Sequence, residues 1–120
     1  MQIKLLKCKV HRTEVTDANT HYEGSLGIDV SFMNRVSLRP YEKILCGNIN
    51  NENRFESYAI PEPAVSKSII LNGATSHLGK SGDRIIIMSF ALISLEEAEN
   101  WKPKIIVLGE SNKIINTTNC

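Results

Sequence analysis

Net charge, long apolar runs and patterned cysteines are all missing from this sequence. Lysine and arginine number 14 against 13 acidic residues, a net charge of +1 over 120 residues. So small an imbalance creates no long-range field, and nothing in it signals nucleic-acid or anionic-membrane binding. The longest apolar run, IIIMSFALISL at 85–95, contains two serines and is too short to span a bilayer. Lys4, Lys7 and Lys9 interrupt the only early apolar stretch, so no secretory signal and a cytoplasmic location are expected. Cys8, Cys46 and Cys120 are odd in number and lack CxxC spacing, which reads as reduced thiols and excludes a disulfide framework or zinc site. His11, His21 and His77 are not spaced as metal ligands, and no metal is expected. Without repeats, low-complexity segments or linkers, residues 1–120 read as one domain.

What is present is mostly strand. IKLLKCKVH and KILCGNI look extended, and RFESYAI (54–60) follows the second after the turn-rich NNEN, a hairpin signature. SIILN (68–72), DRIIIMSF (83–90) and KIIVLG (104–109) add β-branched runs, with a turn at GESNK before IIN. Ser94-Leu95-Glu96-Glu97 has the capping-box form and predicts a short helix that stops before Pro103. A second short helix is expected over 31–36. Many short strands with few helices predict a small closed or half-closed barrel.

Two stretches imitate well-known motifs. GATSHLGKS (73–81) resembles a phosphate-binding loop, but five residues separate its first glycine from Gly-Lys-Ser where four are required, and a β-rich run follows. It reads as a turn. EGSLG is not a nucleophile elbow, because Glu23 stands where GxSxG needs glycine. Asn116-Thr117-Thr118 fits a glycosylation sequon, which without secretion is a polar tail.

HYEGSLGID (21–29) places Gly24 directly before Ser25. Glycine removes the Cβ that would shield its own carbonyl and permits backbone conformations closed to other residues. In a strained turn the Ser25 hydroxyl can approach that carbonyl carbon, and attack converts the amide to an ester, given a donor for the oxyanion. Elimination and hydrolysis then leave a ketone, a pyruvoyl group, on residue 25. By itself a Gly-Ser pair is simply a turn.

The company it keeps says more. LKCKVHR (6–12), VTDAN (15–19), HYEGS (21–25), ID (28–29), NRFESYAIP (53–61), LNGA (71–74), GD (82–83) and EEA…W.P (96–103) stand in an order and at separations that resemble the bacterial aspartate decarboxylase family, self-processing pyruvoyl enzymes of pantothenate synthesis. The resemblance implies cleavage between Gly24 and Ser25 into a β-chain, 1–24, and an α-chain, 25–120. It implies a mainly β fold, a six-stranded double-psi β-barrel with short helices, assembled as a homotetramer with active sites between subunits. The implied substrate is L-aspartate, whose amine forms a Schiff base with the pyruvoyl ketone, the electron sink that pyridoxal phosphate (PLP) supplies elsewhere. No PLP is then needed, and maturation either proceeds alone or uses an accessory protein.

Residue roles follow from the same resemblance. Arg54 matches the residue that holds a substrate carboxylate, to which guanidinium is bidentate; otherwise it is a surface arginine at a hairpin. Lys9 matches the basic residue near the substrate and shares a strand face with His11 if alternation is regular, although Lys4 and Lys7 nearby suggest a solvated face. Tyr58 matches the proton donor; a phenol is protonated at neutral pH, but a packing tyrosine is the commoner fate. Ser57 stands where threonine is usual and keeps the hydroxyl that assists cleavage. Asn72, Gly73 and Ala74 match a turn that shapes the pocket, and Tyr22 is expected in support. Thr75 and Ser76 replace the usual alanines, Thr20 replaces an apolar residue, and 61–68 lacks the usual glycines. Alternation places Arg54 and Tyr58 on one face of their strand and Ser57 on the other, so a twist, a bulge or a subunit boundary has to reconcile them. Two alternatives stand beside the decarboxylase: the same chemistry on another small acidic amino acid, and a barrel that never cleaves and serves as a binding module. Loss of Ser25, Lys9, Arg54 or Tyr58 would mark the module, and all four are present.

Overall fold

The β-branched runs fold as strands in a computed structural model that describes residues 1–21 and 23–120; Tyr22 lies outside the described residues. Among the described residues there are nine strands: β1 (Gln2–Glu14), β2 (Asp17–Asn19), β3 (Ser25–Asp29), β4 (Lys43–Asn48), β5 (Arg54–Glu62), β6 (Ile69–Asn72), β7 (Arg84–Ser94), β8 (Lys104–Leu108) and β9 (Ile114–Thr118). Their order is β2-β6-β3-β5-β4-β7-β1-β8-β9, with β1–β8, β2–β6 and β3–β5 parallel and the other pairs antiparallel.

This ladder closes on itself. β1 and β2 are one extended segment joined by Val15 and Thr16, yet β1 lies toward one end of the order and β2 at the other. Thr16 N–H donates to the Ile69 carbonyl at 2.8 Å, so the chain leaving β1 is already bonded to β6. Closure gives a mainly β barrel architecture, with β9 left at an edge beside β8. Six of the strands, β6-β3-β5-β4-β7-β1, run consecutively through it. Inside, Val10, Leu26, Ile28, Ile44, Ile69, Leu71, Ile85, Ile87 and Ile106 form the core, one from every second position of their strands.

The local predictions hold with small shifts. The helix expected over 31–36 is α1 (Val30–Arg35), and α2 (Leu95–Ala98) begins as predicted, Ser94 Oγ accepting from Glu97 N–H at 3.1 Å. The phosphate-loop look-alike is a 310 turn, Gly73–His77, entered with Gly73 at φ 61°, where a side chain would be strained. β1 shifts register between Leu6 and Cys8, and the Trp101 indole N–H donates to the Leu6 carbonyl at 2.7 Å. The bulge therefore leaves no orphan acceptor. Burial pushes the Cys46 thiol up to about 12, and Cys8 is also raised, chiefly by burial, so neither is a thiolate at neutral pH.

β3 is buried at all five positions, so its outward-facing residues are covered too. Asp29, at its end, caps α1 and anchors the loop that follows β5. Its carboxylate accepts from Ser31 N–H at 2.8 Å, Ser31 Oγ at 2.6 Å, Val65 N–H at 3.2 Å and Lys67 N–H at 2.7 Å. Val65 and Lys67 adopt φ 64° and 59°, conformations that glycine would take without strain, and these bonds hold them there. Burial raises the Asp29 pKa, but the hydrogen bonds from Ser31, Lys67 and Val65 outweigh it and hold the carboxyl below its ordinary value. A depressed carboxylate stabilises the fold above its unfolded pKa, and that increment is lost as pH falls through the folded value. Asp29→Asn turns an amide N–H toward a backbone donor and is expected to cost about 2 kcal/mol at pH 7. Urea unfolding should show the gap between wild type and variant narrowing only below about pH 4; a gap that is constant with pH would refute this role for the charge.

Candidate active site

Ser25 heads β3 and is 3 % exposed. Its Oγ donates to the Glu23 carbonyl at 3.3 Å and accepts from Asn72 Nδ2 at 3.2 Å. The register explains that second contact, since Ser25 pairs with Asn72 across β3 and β6. After Gly73 the turn brings Thr75 back beneath the same strand, its Oγ1 lying 2.7 Å from the Asn72 carbonyl and 3.3 Å from that of Ser25. One hydroxyl proton serves the shorter contact. Thr75 therefore braces the turn at the end of β6, and neither it nor Ser76 lines the cleft.

The cleft, about 430 Å³, is walled by Ser25, Asn72, Ile70, Tyr58, Ile60, Glu62, Tyr41 and Glu23. It lies on the outer face of the barrel. Ile70 and Asn72 alternate with the core residues Ile69 and Leu71, and Tyr58, Ile60 and Glu62 alternate with the buried Ala59. The parallel register of β3 on β5, Leu26 opposite Ala59, sets Ser25 beside Tyr58. Tyr41, unforeseen in the sequence, is 77 % exposed at φ 70°, held by its N–H to the Ala59 carbonyl at 2.7 Å. Its ring centroid is 6.3 Å from that of Tyr58, within the range of favourable aromatic pairs.

Other expected residues do not gather here. Lys9 and His11 share the outer face of β1, as alternation requires, opposite Ile105 and Val107 of β8. Among the described residues no partner reaches His11 Nδ1, and burial first, then Lys9 and Arg12, lowers the His11 pKa, so the ring is neutral at pH 7. Arg54 is exposed at the start of β5, about 13 Å along the strand from Tyr58. The cleft runs the other way, from Tyr58 toward Glu62. Ser57 pairs with the core residue Ile44 and faces inward, whereas Tyr58 pairs with Lys43. No bulge interrupts β5, so within one chain Ser57 is not turned to the cleft. Gly73 is buried and Ala74 exposed, and they shape the turn from outside the cleft wall.

Gly24 corrects one expectation. Its φ is not positive, and a Cβ there would meet nothing within 4 Å. Gly24 therefore does not use the left-handed conformations open to glycine, and the space beside its Cα is open.

Electrostatically the cleft is incomplete. It carries two carboxylates, Glu23 and Glu62, and no lysine or arginine. Neither carboxylate is in an ion pair among the described residues. A dicarboxylate would not bind such a surface without cations from elsewhere.

A family model described as aspartate decarboxylase matches residues 1–115. The chain is 47% identical over 116 residues to a protein named aspartate 1-decarboxylase from Thermoanaerobacter pseudethanolicus, covering 97% of this chain and 99% of that one. It is 42% identical to the protein of that name from Maricaulis maris, covering 96% and 95%, and 44% identical to that from Ralstonia nicotianae, covering 95% of each.

Proposed function

The chain belongs to the aspartate decarboxylase family, and we propose that it cuts itself ahead of Ser25 to make the ketone with which it works. It is an aspartate 1-decarboxylase, releasing β-alanine and carbon dioxide from L-aspartate in pantothenate synthesis. One observation carries the proposal: a buried serine oxygen at the head of β3, held between an amide donor and a carbonyl acceptor, directly after a glycine that has no side chain of its own. Asn72 orients the oxygen's lone pairs, and the β3–β6 pairing keeps its strand still. When formed, the pyruvoyl ketone withdraws electrons from the carbon that loses carbon dioxide. Tyr58 lies on the cleft wall, where its phenol O–H can return a proton to that carbon.

Arg54 and Lys9 take the substrate's carboxylates, and we assign them to the cleft of a neighbouring subunit. The acidity of the cleft and the direction it runs from Tyr58 support that assignment and a homotetramer. The three cysteines are free, which suits a reducing cytoplasm, and no helix among the described residues is long and apolar enough to cross a membrane. Ser57 and Tyr22 keep the cleavage and supporting roles implied above, Ser57 only if assembly re-aims it.

Intact-mass analysis of aged protein tests the proposal. Fragments 1–24 and 25–120 are expected, the larger with a carbonyl-reactive N-terminus. A single chain that no ketone reagent labels would overturn it, unless an added maturation protein produced both fragments. Tyr58→Phe keeps the ring and loses the proton. Its fragments should match wild type while kcat falls about a hundredfold and KM changes little; an unchanged kcat would remove Tyr58 from the chemistry.

A further inference from the structure

Glu62 and Gly27 form a pair that none of the roles above uses. Gly27 is two positions beyond Ser25 on the same outward face of β3, about 6.6 Å along the strand. The Glu62 side chain lies across it: a methyl group at Gly27 would stand 3.0 Å from Glu62 Cγ and 3.1 Å from Oε2. The missing Cβ lets the Glu62 side chain lie close against β3, and a methyl group there would push it outward. Glu62 is half-buried, and it is the last residue of β5, in regular register opposite Asp29. Glu23, the other acid, is exposed and precedes the scissile bond, so it belongs to the fragment that departs from Ser25.

We propose that Glu62 is the positioning residue for the substrate's ammonium group, in a seat that Gly27 provides; this rests on the function proposed above. L-Aspartate carries one positive and two negative groups. With Arg54 and Lys9 on the carboxylates, a carboxylate beside Ser25 meets the remaining charge. It turns the nitrogen toward residue 25, and it disfavours acids of the same length that lack an amine.

Calorimetry on mature protein whose ketone has been reduced with borohydride separates recognition from chemistry. Wild type should bind L-aspartate about ten- to a hundredfold more tightly than succinate, the same dicarboxylate without the amine. In Glu62→Gln that preference should fall to near unity, with succinate bound at least as well as before. Gly27→Ala leaves Glu62 in the sequence but displaces it, and should reduce the preference in the same direction. Each variant is first checked for fragments 1–24 and 25–120. Wild type that stays uncleaved would bring down the proposed function. Cleaved variants that keep the full preference would overturn the role of Glu62 alone.

Discussion

A Ser25→Ala chain should remain a single polypeptide near the 13.4 kDa of the full sequence and show no decarboxylation above background. Alanine fits the site, since Ser25 contributes only one polar atom to the β3–β6 pairing and its backbone bonds remain. The fold should therefore survive, with a thermal midpoint within a few degrees of wild type. What disappears is the hydroxyl that the proposal has attack the Gly24 carbonyl, and with it the source of the ketone. The fall in rate should be total, because alanine has no hydroxyl from which the ketone could form. Ser25→Thr keeps the hydroxyl and should still cleave, more slowly, as the added methyl crowds a position only 3 % exposed. A Ser25→Ala protein that still separates into two fragments would end the proposal.

Arg54→Ala should cleave normally and lose about a hundredfold or more in kcat/KM, the cost of leaving a substrate carboxylate unpaired. The larger claim lies in mixing. Arg54→Ala chains carry a mature residue 25 but no arginine, and Ser25→Ala chains carry the arginine but no ketone. If each cleft borrows Arg54 from a neighbour, co-expressed chains regain activity, up to about a quarter of wild type for random one-to-one assembly. The structure motivates this from two sides: the cleft holds acids and no base, and Arg54 sits on the far side of Tyr58 from it. Mixed assemblies of confirmed composition that stay inactive would place the whole site within one chain.

Legibility followed the range of the interactions concerned. The hairpin of β4 and β5, the Ser94 cap and the Gly73–His77 turn rest on neighbours in sequence, and each was foreseen. β3 was not, because SLGID is covered on both faces and shows no alternation to detect. Tyr41 was missed because it carries no periodic signal; a positive-φ turn throws its ring across the cleft. Ser57 was expected to serve the site, and pairing with Ile44 turns it inward instead.

Composition and local pattern alone determined that this is a mostly β chain with near-zero net charge, and the Gly24-Ser25 junction with its surrounding blocks determined the family it resembles. Tertiary structure alone decided that the ladder closes where Thr16 meets Ile69, that Ser25, Asn72 and Tyr58 share one outer cleft, and that Arg54 and Lys9 stand apart from it. Only it set Glu62 against Gly27, 35 positions away in the chain. Side-chain alternation is a property of one strand, whereas which strands meet, and in what register, depends on contacts between distant segments that no local pattern encodes.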